Sequence, residues 1–366
     1  MSGPMAGALQ GLTIVEMAGI GPAPFAAMML ADHGAKVIRV EREGLIGIAG
    51  DPLLRSRRSL ALDLKTTSAR KIVRRLAQRS DALIEGYRPQ VMERLGLGPE
   101  LLLKDNPKLV YGRVTGWGRD GPLASTAGHD IDYLAITGLL HAIGPKERPV
   151  VPVNYIADYA GGGMMLAFGM VAALLRVQRG GDGQVVDCAM TDGAALIGAL
   201  TYGMRAAGLW TNERESNLLD GGSATYGVYE CSDGEFLALG AIEPRFRNAL
   251  FEGLGLSPDA GKEEIAGAIS TRTRDQWATH FEGSDACVAP VLDLEEAPMH
   301  PHNRSRGTFI ELAGVVQPGP APDFSASPPP EPVPPVEPGA DGEAILEELG
   351  YSGQEIARMR REGAVL

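Results

Sequence analysis

The chain has 366 residues, 44% hydrophobic and 22% charged, with a formal net charge of −12. That length exceeds what one hydrophobic core ordinarily supports, so two domains are expected, and the acidic balance argues against a nucleic-acid partner. Three scattered cysteines, Cys188, Cys231 and Cys287, do not read as a disulfide framework and suit a reducing, cytoplasmic setting.

In chain order, MSGPMAGALQ has neither the basic nor the apolar region of a signal peptide. LTIVEM then reads as a buried strand, GIGPAP as a turn, FAAMMLADHG as a helix and AKVIRVE as a second strand. SARKIVRRLAQRS is a helix, DALIEGY a strand, QVMERLG a short helix and KLVYGRVTGW another strand. This alternation predicts right-handed βαβ units and a mostly parallel sheet. The first turn, AGIGPAP, carries prolines where a dinucleotide pyrophosphate would need glycines, which argues against NAD or FAD.

A helix is expected from about Asp158 to Arg179. Its apolar stretch GGGMMLAFGMVAALLRV is shorter than a bilayer span and reads as buried, so no membrane partner is expected. GQVVDCAM predicts a strand leading into the helix TDGAALIGALTYGMRAAG, and TYGVYECSDGEFLALGAI predicts a hairpin turning at Ser-Asp-Gly. The expected organisation is a large α/β domain over 1–205, completed by a helical tail at 335–366, and a smaller α+β domain over 222–316. A proline-rich linker over 317–338 should be extended and poor in regular structure.

Four sets of residues invite chemistry. His129, in AGHDIDYLAITGLL, stands just before a predicted helix with Asp130 and Asp132 in its first turn. It reads either as a cap on that helix or as a base, since the helix dipole disfavours imidazolium there and the open N–H groups at the helix start suit an oxyanion. Asp158 precedes Gly161–Gly163; an N-cap is the commoner role at such a junction, and a substrate-facing carboxylate is the other. Glu243, at the end of FLALGAI, is a turn residue or a partner that orients a histidine. Arg55, Arg57, Arg58 and Lys65, with Arg39 and Arg42 upstream, form either a local anion site or a solvated face. His300 and His302 lack ligand-like neighbours, so no metal is expected.

Together, VEMAGIGPAPFAAMMLADHGAKVIRVER, RSLALDLK, EGYRPQVMERLGLGPE, GHDIDY, ADYAGGG, GQVVDCAMTDG, NLLDGG, GAIEP and SDACVAPVL resemble the α-methylacyl-CoA racemase branch of the family III CoA-transferase superfamily. The resemblance is collinear up to the proline-rich linker. It implies an α/β fold with a Rossmann-like large domain lacking a dinucleotide site, a smaller α+β domain, and an interlocked homodimer. By resemblance, His129 and Asp158 are acid and base on opposite faces of the α-carbon of a 2-methylacyl-CoA, and Glu243 orients the histidine. Arg42, Leu62, Asp63, Leu64, Lys65, Arg88, Gly128, Asp130, Ile131, Asp132 and Tyr133 would contact CoA, which is substrate, with no separate cofactor. The implied activity is interconversion of 2-methylacyl-CoA epimers in fatty-acid metabolism. Alternatives are a transferase using Asp158 as nucleophile, disfavoured by His129 where transferases carry tyrosine, and a non-catalytic acyl-CoA binder. Two positions depart from the pattern: Asp132 in place of Asn, and Ser223-Ala224 after Gly221-Gly222.

Overall fold

The structure, a computed structural model, describes residues 7–42, 44, 48 and 50–366. Six strands form one sheet: β1 (Thr13–Met17), β2 (Lys36–Glu41), β3 (Arg57–Ala61), β4 (Ala82–Glu85), β5 (Val110–Thr115) and β6 (Val185–Ala189). Their order is β3-β2-β1-β4-β5-β6 and every pairing is parallel. Ile14, Val15, Leu83 and Ile84 are fully buried, as befits central parallel strands covered on both faces. Helix Thr67–Gln78 shows how local sequence fixes an element: the Thr66 hydroxyl accepts the Ala69 N–H, and Ala69, Ile72, Val73, Leu76 and Ala77 turn inward.

β3 was not among the expected strands, because RRSLA carries two arginines. Both are accommodated by neighbours. Arg57 donates to Glu16 of β1 at 3.1 Å, and Arg58 to Glu348 at 2.8 Å. Chain order reverses direction between β1 and β4, so the crevice beyond their C-terminal ends is where such a sheet receives ligands.

The chain divides into two units. The larger takes in Met1–Thr137, Val153–Ile197 and Gly307–Leu366; the smaller takes in Gly138–Pro152 and Gly198–Arg306. These bounds differ from the expected ones. The single helix predicted after β6 is two, Met190–Ile197 and Ala199–Ala206, broken at Gly198, where the chain changes unit. At the far side, the antiparallel pair β10 (Phe309–Leu312) and β11 (Val315–Pro318) belongs with the larger unit, because Arg55 donates to the Gln317 side chain and the Pro318 carbonyl. Within the smaller unit, β7 (Tyr226–Glu230), β8 (Phe236–Gly240) and β9 (Val288–Pro290) form an antiparallel sheet, the first two joined by the Ser232-Asp233-Gly234 turn as expected. Leu237, Leu250, Phe251, Ile265, Ile269 and Trp277 make its core.

Residues 319–338 hold no helix or strand, yet the segment is strapped down: the His33 ring bonds the Ala321 carbonyl, and the Ser56 N–H bonds Val333. The tail helices Gly342–Glu348 and Gly353–Arg361 supply Ile345, Leu346, Ile356 and Met359 to the large core, and Val365 bridges to Leu62.

A π-helix, Tyr155–Met164, runs without interruption into the α-helix Met165–Gln178. The combined 24 residues contain an 18-residue window of mean hydropathy 1.6, so by length and composition the run could cross a membrane, which corrects the shorter estimate from sequence. In the structure one face of it packs inward, with Gly163 against Phe25 and Pro22 and with Met170 and Leu166 against Gly112 of β5, while Phe168 and Leu175 stay exposed.

Candidate active site

A cleft of about 480 Å³ opens at the C-terminal ends of β1, β4 and β5. From β1 come Ile20, Gly21 and Pro22; from β4, Gly86, Tyr87 and Arg88; from β5, Thr115, Gly116 and Trp117. His129 and Asp158 both line it. The first turn thus carries a ligand crevice, with Gly21 at φ 70° ahead of Pro22 and an ideal Cβ at Gly21 only 3.4 Å from the Asp158 carboxylate. A Cβ there would only touch the acid in ordinary contact; it is the positive φ that calls for glycine.

His129 is the N-cap residue of helix Asp130–Ala135, but its imidazole makes no capping bond and is exposed. The two readings of this histidine therefore separate: the backbone caps and the ring is left for other work. The loop before it is held from behind. Tyr133, 7% exposed, donates its hydroxyl to the Gly128 carbonyl, and Trp117 meets the Tyr133 ring edge-on at 4.8 Å. An ideal Cβ on Gly128 would lie 2.7 Å from both rings, so glycine is required.

Asp132, the departure from the family pattern, has a plain role: its carboxylate accepts the His129 N–H at 2.9 Å, and its own N–H donates to the His129 carbonyl at 2.9 Å. This is one half of a capping box. It also occupies the His129 N–H, one of the groups at the helix start that were expected to suit an oxyanion. Among the described residues the Asp130 N–H has no hydrogen-bond partner and is the one that stays open.

Asp158 is not an N-cap. It is the fourth residue of the π-helix, whose N-cap position is Asn154. The carboxylate accepts from Asn154 Nδ2 at 3.2 Å. Burial raises its pKa above the ordinary carboxylate range, and the Asn154 bond, which opposes this, and nearby Asp130, which adds to it, are lesser influences. Burial, then the charges of Asp158 and Asp132, push up the Tyr133 phenol as well.

The expected anion cluster dissolves. Arg39 and Arg57 are buried and paired with Glu16, Arg39 also with Glu41, and Arg55 forks onto Asp32 at 2.6 and 2.9 Å. Those guanidiniums hold strands together and are not available to a phosphate. Of the remaining cations, Arg42, Lys65 and Arg88 are exposed, and only Arg88 lines the cleft. Leu62 is in the hydrophobic core with its N–H donated to the Glu41 carbonyl; Leu64 packs against the same core, and the Asp63 carboxylate accepts the Lys65 N–H. On the His129 helix, Ile131 and Asp132 are exposed and Asp130 is buried. Glu243 belongs to the smaller unit, where it stands at the N-cap of helix Pro244–Leu254. Among the described residues no group of histidine, cysteine and acid side chains has metal-site geometry.

Sequence reasoning missed Trp117, Tyr87, Tyr159 and Asn154 as cleft residues. Asn154 stands four before Asp158, a spacing at which helical side chains meet, and Trp117 stands between glycines in TGWG.

The sequence profile of "CoA-transferase family III" matches residues 9–341. The α-methylacyl-CoA racemase of Homo sapiens is 43% identical, covering 97% of this chain and 97% of its own, and that of Mus musculus is 42% identical over 98% and 97%. The crystal structure of a CAIB/BAIF family protein from Brucella suis superposes with a TM-score of 0.80 at 25% identity, over 94% of this chain and all of that one. A parallel sheet, a cleft lined by His129 and the half-buried acid Asp158, a profile match over residues 9–341 and relatives alike over nearly the full length lead to one conclusion: the chain belongs to the CoA-transferase family III.

Proposed function

We propose that the chain is a racemase that interconverts the 2R and 2S epimers of 2-methylacyl-CoA thioesters by moving one proton off the α-carbon and another onto its opposite face. The observation that carries this reading is the joint lining of one cleft by an imidazole that makes no hydrogen bond among the described residues and an acid whose pKa is raised by burial. Inversion needs two such groups in opposite protonation states. A thioester acidifies its α-hydrogen; uncharged His129 takes it, and protonated Asp158 returns a proton from the other side. The raised carboxyl of Asp158 favours the protonated acid that this half-reaction requires. Electron density moves to the thioester oxygen, and the open Asp130 N–H is the donor proposed to receive it. In the reverse direction the two groups exchange roles. Met164, at 49% exposure, and Met190, at the cleft wall, support a pliable apolar surface along which the acyl chain shifts between configurations.

Arg88, with Arg42 and Lys65, is proposed to hold the CoA phosphates, and Glu243 to orient the imidazole. A homodimer is proposed too. It is supported by apolar side chains left on the surface of the larger unit, Phe168 and Leu175 on one helix and Leu196 and Ile197 on another. Three unpaired thiols suit a cytoplasmic enzyme.

The test is α-hydrogen exchange of a 2-methylacyl-CoA in deuterated water alongside epimer interconversion. His129→Ala and Asp158→Ala should each abolish inversion, and any residual exchange should depend on which epimer is supplied. Full activity in His129→Ala sinks the two-base account. CoA transfer to a free acid, with an Asp158 acyl adduct trapped by hydroxylamine, would assign the transferase chemistry instead.

A further inference from the structure

We infer that Asp130 is the positioning residue that fixes the second base against the first: its buried carboxylate, one residue beyond His129, caps the π-helix that carries Asp158. The inference rests on the racemase reading for its kinetic consequence and on geometry for its basis.

A π-helix bonds each N–H to the carbonyl five residues back, so its first five N–H groups have no partner inside the helix. In Tyr155–Met164 those groups include Ala157 and Asp158, and the N-cap residue Asn154 contributes no side-chain cap. The missing cap comes from another helix. Asp130 Oδ2 accepts the Ala157 N–H at 2.8 Å and the Asp158 N–H at 2.7 Å. Short bonds from amides to an ionised carboxylate are among the stronger hydrogen bonds. One carboxylate therefore joins the backbone of one base to the residue adjoining the other.

Asp130 was expected to touch CoA. Its side chain is turned the wrong way: the residue is 5% exposed, and its second oxygen, Oδ1, is buried with no hydrogen-bond partner among the described residues. A half-satisfied buried carboxylate is expensive to keep, so a fold gains nothing by it unless the charge or the tie has a use. The charge has one. Asp158 is faced by Asp130 and His129 from the neighbouring helix and by Asn154 from its own; the Tyr133 phenol is near enough to be perturbed by it, and Arg88 lines the same cleft. Asp130 is the acidic member of that set acting on Asp158, and it adds to the effect of burial in keeping Asp158 protonated.

Two variants divide the roles. Asp130→Asn keeps an amide oxygen as acceptor and removes the charge; Asp130→Ala removes both. In Asp130→Ala, kcat for epimer interconversion should fall by about 10–100-fold with KM changed less than about threefold, as expected for a misplaced base. In Asp130→Asn, the fall should be smaller, and in the direction where Asp158 donates its proton the alkaline limb of the pH profile should move to lower pH. Backbone hydrogen exchange across 155–164, read by mass spectrometry, should quicken at least about tenfold in Asp130→Ala whatever reaction the protein catalyses. A rise in KM alone would return Asp130 to the CoA site. Unchanged backbone exchange would overturn the cap and with it the positioning role, and an unmoved pH limb in Asp130→Asn would overturn the effect of the Asp130 charge on Asp158 even if Asp130→Ala did not fold. Absence of α-hydrogen exchange in the unaltered protein would instead count against the racemase reading and leave the exchange measurement to decide the cap.

Discussion

Replacing Gly193 by alanine should disable the site without altering any side chain that lines it. Helix Met190–Ile197 packs against the π-helix glycine to glycine. An ideal Cβ at Gly193 would sit 2.6 Å from the Gly161 carbonyl carbon and 2.8 Å from its Cα, where ordinary contact begins at 3.4 Å. Both obstacles are backbone, so no rotamer change relieves them and the two helices must part by about 1 Å. Overpacking of this kind costs roughly 1–3 kcal/mol, or a Tm lower by roughly 1–4 °C for a chain of this size. The catalytic effect is larger. Gly161 lies three residues beyond Asp158 on the same turn, so the carboxyl moves with it, and a misplacement of about 1 Å lowers turnover about 100-fold. The assay is the α-hydrogen exchange rate at saturating substrate, with a thermal melt to establish that the variant is folded. Gly267→Ala serves as the control: it is exposed within helix Lys262–Ile269, a Cβ there meets nothing within 4 Å, and it should gain about 0.5–1 kcal/mol. A folded Gly193→Ala protein that exchanges at the unaltered rate would refute the claim that this glycine contact sets the position of Asp158.

Two further outcomes follow from buried charge. Burial raises the pKa of Glu85 from 4.5 to about 7 against the opposing Tyr87 N–H bond and the Arg113 charge. A raised carboxyl takes up a proton on folding between those values, so its contribution to stability is lost as pH rises from about 4.5 to about 7. Glu85→Gln should therefore be the more stable protein at pH 8, by at most ~3 kcal/mol, and match the unaltered protein near pH 4, as read by urea denaturation. A variant less stable at pH 8 would show that the Tyr87 N–H bond and the Arg113 charge outweigh burial. Arg55→Met should destabilise by about 3–5 kcal/mol, because Asp32 would remain buried without its partner. Limited proteolysis should then cut first in the proline-rich segment after Pro318, and equal protection in the two proteins would contradict that order.

What the residues disclosed in advance was local. The His129 helix, the strands rich in valine, isoleucine and leucine, and the Ser-Asp-Gly hairpin all carry their signals within about ten residues. β3 was hidden because its arginines resemble a surface, and the acid that neutralises Arg57 lies 41 residues away on another strand. The π-helix was hidden for a different reason: no hydrophobic period announces an i to i−5 ladder, and its three glycines reveal only that something approaches closely. Asp132 stood in plain view, since an acid three residues after an N-cap position is a capping-box spacing. The cap on Asp158 was out of reach. It joins residues 27 and 28 positions apart, and nothing about an aspartate in a first turn says which helix it will cap.

The interleaved course of the chain has a consequence for synthesis. Residues 138–152 and 198–306 are translated before Gly307–Leu366, which belongs to the other unit and brings Ile345, Leu346, Ile356, Met359 and Val365 to its core. Throughout that interval a nascent polypeptide presents the uncovered apolar flank of Leu60, Leu62, Ile72 and Leu76 to solvent. Folding of the larger unit cannot finish vectorially; it waits for its last sixty residues to clear the ribosome. Premature stops in this stretch would yield a sticky, half-assembled product and not a weakened enzyme.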